Sequence, residues 1–398
     1  MTQGALTLTY SVVSYINVGF GGALRPAPLG KAWLMFAART AAFGAARTIA
    51  RRLTLDRQVD FWMHELDPAW SYRALHARVV EIIAETHDVT TFILAPNRLW
   101  PGHRAGQFVT VEVEVDGVRM QRCYSLSSAP GEEHVAITVK RVHGGRVSSW
   151  MHDRVRRGDV VRLGMPTGEF VLQGALTPKL LLVSGGSGVT PVMSILRDLS
   201  RRQAVGDVVF LHAARSRRDV IFERELEELA AQHPGLKVAF FIESDITRGG
   251  RLDRAKLRAA VPDLAERDSM LCGPAGMMEA LAPVWTEAGI VHRLKVERFA
   301  PALRLSPPPG RVPATVKLAL VLSGRTVTTE RPETLLEQLE RGGERPVHGC
   351  RMGICNTCVC RKRSGAVEDI ATGIVSSEPD EDIRLCVSRA RTDVELAL

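Results

Sequence analysis

The sequence predicts a multidomain chain: an antiparallel β-barrel, then a doubly wound α/β domain, then a small α+β module. Three observations carry this reading. Residues 74–176 hold alternating β-rich runs broken by Gly, Pro, Asn and Asp turns. Residues 177–299 alternate short apolar strands with helical stretches, the pattern of a parallel sheet. Residues 314–398 follow a Pro-rich break, "APALRLSPPPGRVP" at 300–313, and carry a hairpin, a helix and a cysteine-rich loop. At 398 residues the chain is long enough for each part to bury its own core.

In the first part "ARVVEIIAET", "TTFILAP", "QFVTVEVEVDGVRMQRCYSLSS" and "HVAITVKRV" read as strands. In the second, "KLLLVS", "DVVFLHA", "KVAFFIES", "SMLCG" and "RLKVERF" read as strands, and "PVMSILRDLSRR", "IFERELEELAAQ", "DRAKLRAAV" and "AGMMEALAPVWTEAG" as helices. Residues 1–73 form an N-terminal extension of helical character. Its most apolar stretch, residues 32–50, falls short of the roughly 18 to 20 apolar residues that span a bilayer. Arg39 and Arg47 interrupt it and scatter round the projected helix. It reads either as a peripheral membrane contact or as a surface helix packed on the body.

The formal charge is +8, and residues 314–398 hold 12 Lys+Arg against 13 Asp+Glu, so the excess lies in the first 313 residues. Such a basic body suits an anionic ligand, an acidic partner or a membrane face, or is only a soluble surface. Dispersed arginines and the lack of a recognition motif argue against nucleic acid. Seven cysteines, an odd number clustered near the C-terminus with no secretory signal, point to a reduced cytoplasmic setting, with the thiols serving as ligands or core residues.

Cys350, Cys355 and Cys358 are spaced C-x-x-x-x-C-x-x-C, and Cys386 follows. That is the plant-type 2Fe-2S pattern, three thiolates on one loop and a fourth from a distant strand. Gly349 and Gly353 allow the loop to curl so that amide N–H groups face the sulfurs. Zinc is the competing reading, but tetrahedral sites usually show two C-x-x-C knuckles, and Cys386 has no near partner. Cys360 falls outside the spacing and reads as a core thiol.

"RCYSLSS" (122–128) closes a β-run. Arg122 and Tyr124 share a strand face, where a guanidinium can clamp a pyrophosphate and an aromatic ring can stack on a flavin, with Ser125 as a small donor. "GGRVSSWMHD" then begins a helix at Gly145 and Ser148, offering orphan N–H groups to a phosphate, or else an ordinary Ser-capped start. "LLLVSGGSGVTPVMSIL" is strand, glycine turn and helix: Gly185, Gly186 and Gly188 admit a pyrophosphate, and Pro191 begins the helix. It matches neither the full Rossmann fingerprint nor a P-loop. After the second strand comes "RSRRD" in place of an acid, so Ser216, Arg217 and Arg218 favour a 2′-phosphate and NADPH, unless these are solvated loop residues. "LCGPAG" sets Cys272 at a strand's C-terminal end, where open α/β sheets bind ligands and where a buried core cysteine would look the same.

Taken in order, these motifs resemble the ferredoxin-NADP reductase superfamily, from about residue 74 to the C-terminus, with a fused plant-type ferredoxin domain of β-grasp α+β fold. The resemblance implies FAD held by Arg122, Tyr124, Ser125, Gly145, Val147 and Ser148. It implies NADPH held by Gly185, Gly186, Gly188, Thr190, Pro191, Ser216, Arg217, Cys272, Gly273 and Pro274, with Phe299 against the flavin. Tyr124, Thr190 and Cys272 would stand at the reacting centre, and Cys350, Cys355, Cys358 and Cys386 would hold the cluster. The order of parts, "FWMHELDPAWS" and the long cysteine loop resemble bacterial reductases of membrane acyl-lipid desaturases and related di-iron oxygenases.

The expected function is therefore transfer of single electrons from NADPH through FAD and the cluster to a terminal acceptor, first of all a fatty-acyl desaturase. Reductases of Rieske-type ring hydroxylases, some of which use FMN, or of cytochrome P450 are an alternative, and a non-enzymatic redox-sensing protein is another. The acidic run "SEPDED" (377–382) reads as a docking face or as a solvated loop.

Overall fold

The computed structural model describes residues 56–115, 117–172, 179–245, 247, 250–299, 315–329, 333–351, 353–370 and 373–398. The stretch 32–50 and the Pro-rich segment 300–313 lie outside them. The chain divides into two compact units, Met1–Val59 and Asp60–Leu398. Among the described residues no helix is long and apolar enough to cross a membrane.

Helix α1 (Asp56–Leu66) precedes the barrel strands. These are β1 (His76–Thr86), β2 (Val89–Pro96), β3 (Phe108–Val115), β4 (Val118–Ser125), β5 (Val135–Lys140) and, after helix α2 (Arg146–Arg154), β6 (Val160–Leu163). The sheet runs β4-β3-β6-β1-β2-β5, with every neighbour antiparallel. A bridge between Leu126 and Ile137 joins its first strand to its last and closes the barrel. Alternation puts Val109, Val111, Val113 and Val115 inside with Phe92, Leu94 and Ile137. Strand β6 was not expected, because four residues are too few for a periodic signal.

The second sheet contains β7 (Lys179–Gly185), β8 (Asp207–Ala214), β9 (Leu236–Ile242), β10 (Asp268–Cys272) and β11 (Leu294–Glu297). It is parallel throughout, in the order β11-β10-β7-β8-β9. Helices α3 (Val189–Arg201), α4 (Glu223–Gln232), α5 (Arg254–Ala260), α6 (Ala275–Leu281) and α7 (Pro283–Glu287) alternate with the strands. Leu180 and Leu182 pack against Val192, Ile195 and Leu196 on one face, while Leu181 and Val183 pack against Leu257, Leu281 and Trp285 on the other. Burial on both faces explains the unbroken apolar run of β7. The single helix expected over 275–289 is two helices, because Pro283 lacks the N–H that would continue the first and instead starts the second. The chain order reverses at β7, between β8 and β10, so the crevice at its carboxyl end is the ligand position of a doubly wound sheet.

The C-terminal module has β12 (Val316–Leu320), β13 (Arg325–Thr329), helix α8 (Leu335–Arg341), β14 (Val359–Ser364), β15 (Val367–Asp369), β16 (Val375–Ser376), β17 (Glu381–Arg384), β18 (Ser388–Ala390) and β19 (Val394–Leu396). Its main sheet, β13-β12-β19-β14-β17, is mixed, with β12 and β19 parallel, and α8 lays Leu335, Leu336 and Leu339 on it in a β-grasp arrangement. Thr334 and Glu337 close a capping box that fixes the start of α8. The acidic run is mostly paired within the module: Asp380 with Arg363, Glu381 with Lys362 and Asp382 with Arg361. This pairing leaves little of its charge to steer a partner.

Candidate active site and cluster pocket

Strand β4 brings Arg122, Tyr124 and Ser125 to a cavity of about 390 Å³, and the start of α2 adds Gly145, Val147 and Ser148. Thr190, Phe299, Glu297 and Ile354 complete the wall from three other segments. Arg122 is braced by an Nη1 bond to Gln121 O (2.7 Å). Ser148 caps no N–H of its own helix; its Oγ accepts from Val142 N (3.1 Å) and folds the glycine turn over the cavity. Burial raises the pKa of the Tyr124 phenol and keeps it neutral. Ser125 Oγ and Glu297 Oε2 are buried here without a hydrogen-bond partner among the described residues. Orphaned polar atoms beside an aromatic ring, an arginine and a helix N-terminus fit a flavin with its phosphates.

Glu297, a residue sequence reasoning missed, is the unusual group. Burial pushes its carboxyl up to about 8; the Ser125 hydroxyl nearby opposes the shift without a hydrogen bond of normal geometry. A single acid in "VERF" gives no signal in sequence, since only the fold buries it. Cys272 stands in register with Glu297 on the adjacent strand and is fully buried, so it lies behind the cavity wall rather than on it. Burial, then the Glu297 charge, raises the pKa of its thiol.

A second cavity, about 700 Å³, opens at the end of β7 and is lined by Gly185, Gly186, Arg215, Ser216, Arg218 and Pro274 among others. Gly188 is required by close approach: a Cβ there would meet Cys272 O at 2.4 Å. Gly273 likewise faces Gly185 N at 3.1 Å from its added Cβ. Pro191 is buried in the first turn of α3, and Thr190, which lines the flavin-type cavity, donates from Oγ1 to Ser187 O (3.1 Å). The arginine expectation needs correction. Arg217 pairs with Glu223 (2.9 Å) outside this cavity, whereas Arg215 and Arg218 line it. Ser216 lines it too, but its Oγ donates to Asp219 in a capping box.

The four cysteines at cluster spacing converge. They fall into two pairs: Cys350 with Cys355, whose backbone N–H groups each donate to the other's sulfur (3.2 and 3.4 Å), and Cys358 with Cys386, whose sulfurs are 3.2 Å apart. Gly353 N donates to Cys386 Sγ (3.2 Å), and a φ of +75° there makes the curl that glycine tolerates. Arg384 clamps the loop by donating to Gly353 O (2.6 Å) and Asp369 Oδ2 (2.9 Å). Two thiol pairs with N–H donors aimed at sulfur fit two irons better than one tetrahedral zinc. Cys360 is buried in the module's core, its Sγ facing Arg361 O (3.7 Å) and Ala397 O (3.9 Å). A fifth thiol, Cys123 of β4, reaches the pocket unexpectedly: its Sγ and those of Cys350 and Cys355 lie within 4.8 Å of one another.

Barrel, parallel sheet and cysteine-bearing β-grasp module define an electron-transfer flavoenzyme that takes electrons from a nicotinamide cofactor. Residues 76–172 match the oxidoreductase FAD-binding domain, 182–282 the oxidoreductase NAD-binding domain and 320–391 the 2Fe-2S iron-sulfur cluster binding domain. A Mycobacterium tuberculosis NADPH oxidoreductase is 37% identical over 88% of this chain and 92% of its own length. A glycine betaine monooxygenase reductase subunit of Chromohalobacter salexigens is 32% identical over 82% of this chain and 96% of its own. The structure of phthalate dioxygenase reductase shares the fold at a TM-score of 0.56 and 24% identity, covering 82% of this chain and 98% of that one. The chain belongs to the ferredoxin-NADP reductase-type oxidoreductases with a fused 2Fe-2S domain, using FAD, NAD(P)H and a 2Fe-2S cluster.

Proposed function

We propose that the protein is the reductase component of a terminal oxygenase and that it prefers NADPH. The observation that carries this reading is a shared wall: Ile354, next to Cys355, lines the same cavity as Tyr124 and Thr190. A flavin there would sit directly against the cluster loop, and electrons would pass within one chain. When bound, a flavin would supply hydride acceptance and a 2Fe-2S cluster one-electron transfer. Arg122 and the start of α2 would hold the flavin phosphates, Tyr124 its ring, and Cys350, Cys355, Cys358 and Cys386 the two irons. Phe299 and Ile354 would keep water from the ring, and Glu297, protonated at neutral pH, would present a neutral donor beside it.

Names of relatives favour the oxygenase reading over the desaturase expected at first, since the glycine betaine relative is a monooxygenase reductase subunit. Arg215 and Arg218 in the nucleotide cavity support a 2′-phosphate, although Asp219 shares that wall. A cytoplasmic setting is part of the proposal and rests on a cluster loop that needs reduced thiols. Purified protein should show flavin and 2Fe-2S absorption that bleaches with anaerobic NADPH, and it should drive a purified oxygenase faster than a membrane desaturase. Equal or greater turnover with the desaturase would reverse the assignment of the acceptor.

A further inference from the structure

Cys123 sits between Arg122 and Tyr124, so strand alternation turns it away from them. It points to the C-terminal module, where its Sγ and those of Cys350 and Cys355 lie within 4.8 Å of one another. Its neighbour Gln121 tightens the same junction. A Cβ on Gly349 would lie 3.1 Å from Gln121 Oε1 and 2.9 Å from Cys355 Sγ, so the loop meets β4 with no space for a side chain.

Resting on the assignment of Cys350, Cys355, Cys358 and Cys386 as cluster ligands, we propose that Cys123 is a positioning residue for electron entry. Its S–H donates to the sulfurs of the Cys350–Cys355 pair, seats that edge of the cluster on the flavin strand and favours the reduced cluster. Reduction adds negative charge that the ligand sulfurs share, and a donor to those sulfurs stabilises the charged form. Cys123 is not a fifth ligand, since the four spaced thiols already form two pairs among themselves. Cys123 also lines the flavin-type cavity beside Tyr124, so one residue joins the cluster contact to that cavity.

The test compares wild-type holoprotein with Cys123→Ala and Cys123→Ser. Iron and flavin are quantified, both midpoint potentials are measured by anaerobic titration with EPR detection, and cluster reduction is timed after NADPH mixing. Iron and flavin content should be unchanged in both variants. In Cys123→Ala the one-electron equilibrium should move about tenfold toward oxidised cluster, ~59 mV for n = 1, and cluster reduction should slow several-fold. Serine, whose hydroxyl also donates, should recover most of both effects. A cluster potential and EPR spectrum that stay the same in both variants would overturn the proposal, and so would loss of iron from Cys123→Ala, which would make Cys123 a ligand. Wild-type protein that builds no cluster on anaerobic reconstitution with iron and sulfide would bring the idea down at the ligand assignment instead.

Discussion

Ile354 of the cysteine loop and Tyr124 of strand β4 line one cavity, although they belong to opposite parts of the chain. The wall is apolar at Ile354, which is half-buried, so a carboxylate there would draw in water or the basic side chains of the same cavity and move the loop off the flavin side. Ile354→Asp should slow cluster reduction by about tenfold, about 1.4 kcal/mol of barrier, while changing NADPH reduction of the flavin by less than about twofold. Stopped-flow absorbance separates the two phases. Equal slowing of both would mean that Ile354 supports the fold and not the junction.

Arg384 ties the cluster loop to β15 through Gly353 O and Asp369. Bonds to a charged group contribute about 1.5–3 kcal/mol when well buried, and less here because Arg384 is part exposed. Arg384→Ala should therefore lower the urea concentration at which the cluster bleaches, with flavin retention unaffected. Matching bleaching midpoints would show that the sulfur-directed N–H groups hold the loop without the clamp.

Much of this arrangement was legible in the sequence because the signals were local. The spacing of Cys350, Cys355 and Cys358, the glycines after β7 and the shared face of Arg122 and Tyr124 each lie within a few residues, and periodicity or spacing reports such relations directly. What stayed hidden depends on long-range packing. Cys123 meets Cys355 only after two modules dock, Glu297 is an ordinary acid until β10 and the barrel bury it, and the choice between Arg217 and Arg218 is made by a short 3₁₀ turn. Pro283 was visible, but a proline suits the first turn of a new helix as well as a break, so its effect was missed.

The two arginines give a paired experiment. Arg218 lines the nucleotide cavity and Arg217 pairs with Glu223 outside it. Removing a direct phosphate contact costs about 1.5–3 kcal/mol, so Arg218→Ala should raise KM for NADPH by about tenfold or more, with little change for NADH. Arg217→Ala should leave the NADPH to NADH preference within about twofold, as for a surface ion pair. An inverted result would return the 2′-phosphate to Arg217.

Glu297 makes stability depend on pH in an unusual direction. Its carboxyl is raised from 4.5 to about 8 because burial disfavours the anion. Between those two values the native state keeps a proton that the unfolded chain has released, so unfolding sheds a proton and stability falls as pH rises. Below about 4.5 the group is neutral in both states and contributes nothing; above about 8 it is charged in both, and the full penalty is present. A bound flavin would exclude more water and preserve the direction of the effect. Glu297→Gln removes the penalty, so the variant holoprotein should match the wild type near pH 4.5 and become progressively more resistant to urea up to about pH 8, after which the gap stays constant. If Glu297 also serves as a neutral donor beside the flavin, wild-type flavin reduction should fall above pH 8 while the variant's stays level. A stability gap that does not change between pH 5 and pH 9 would show that the carboxyl titrates normally, and with it would go the neutral donor.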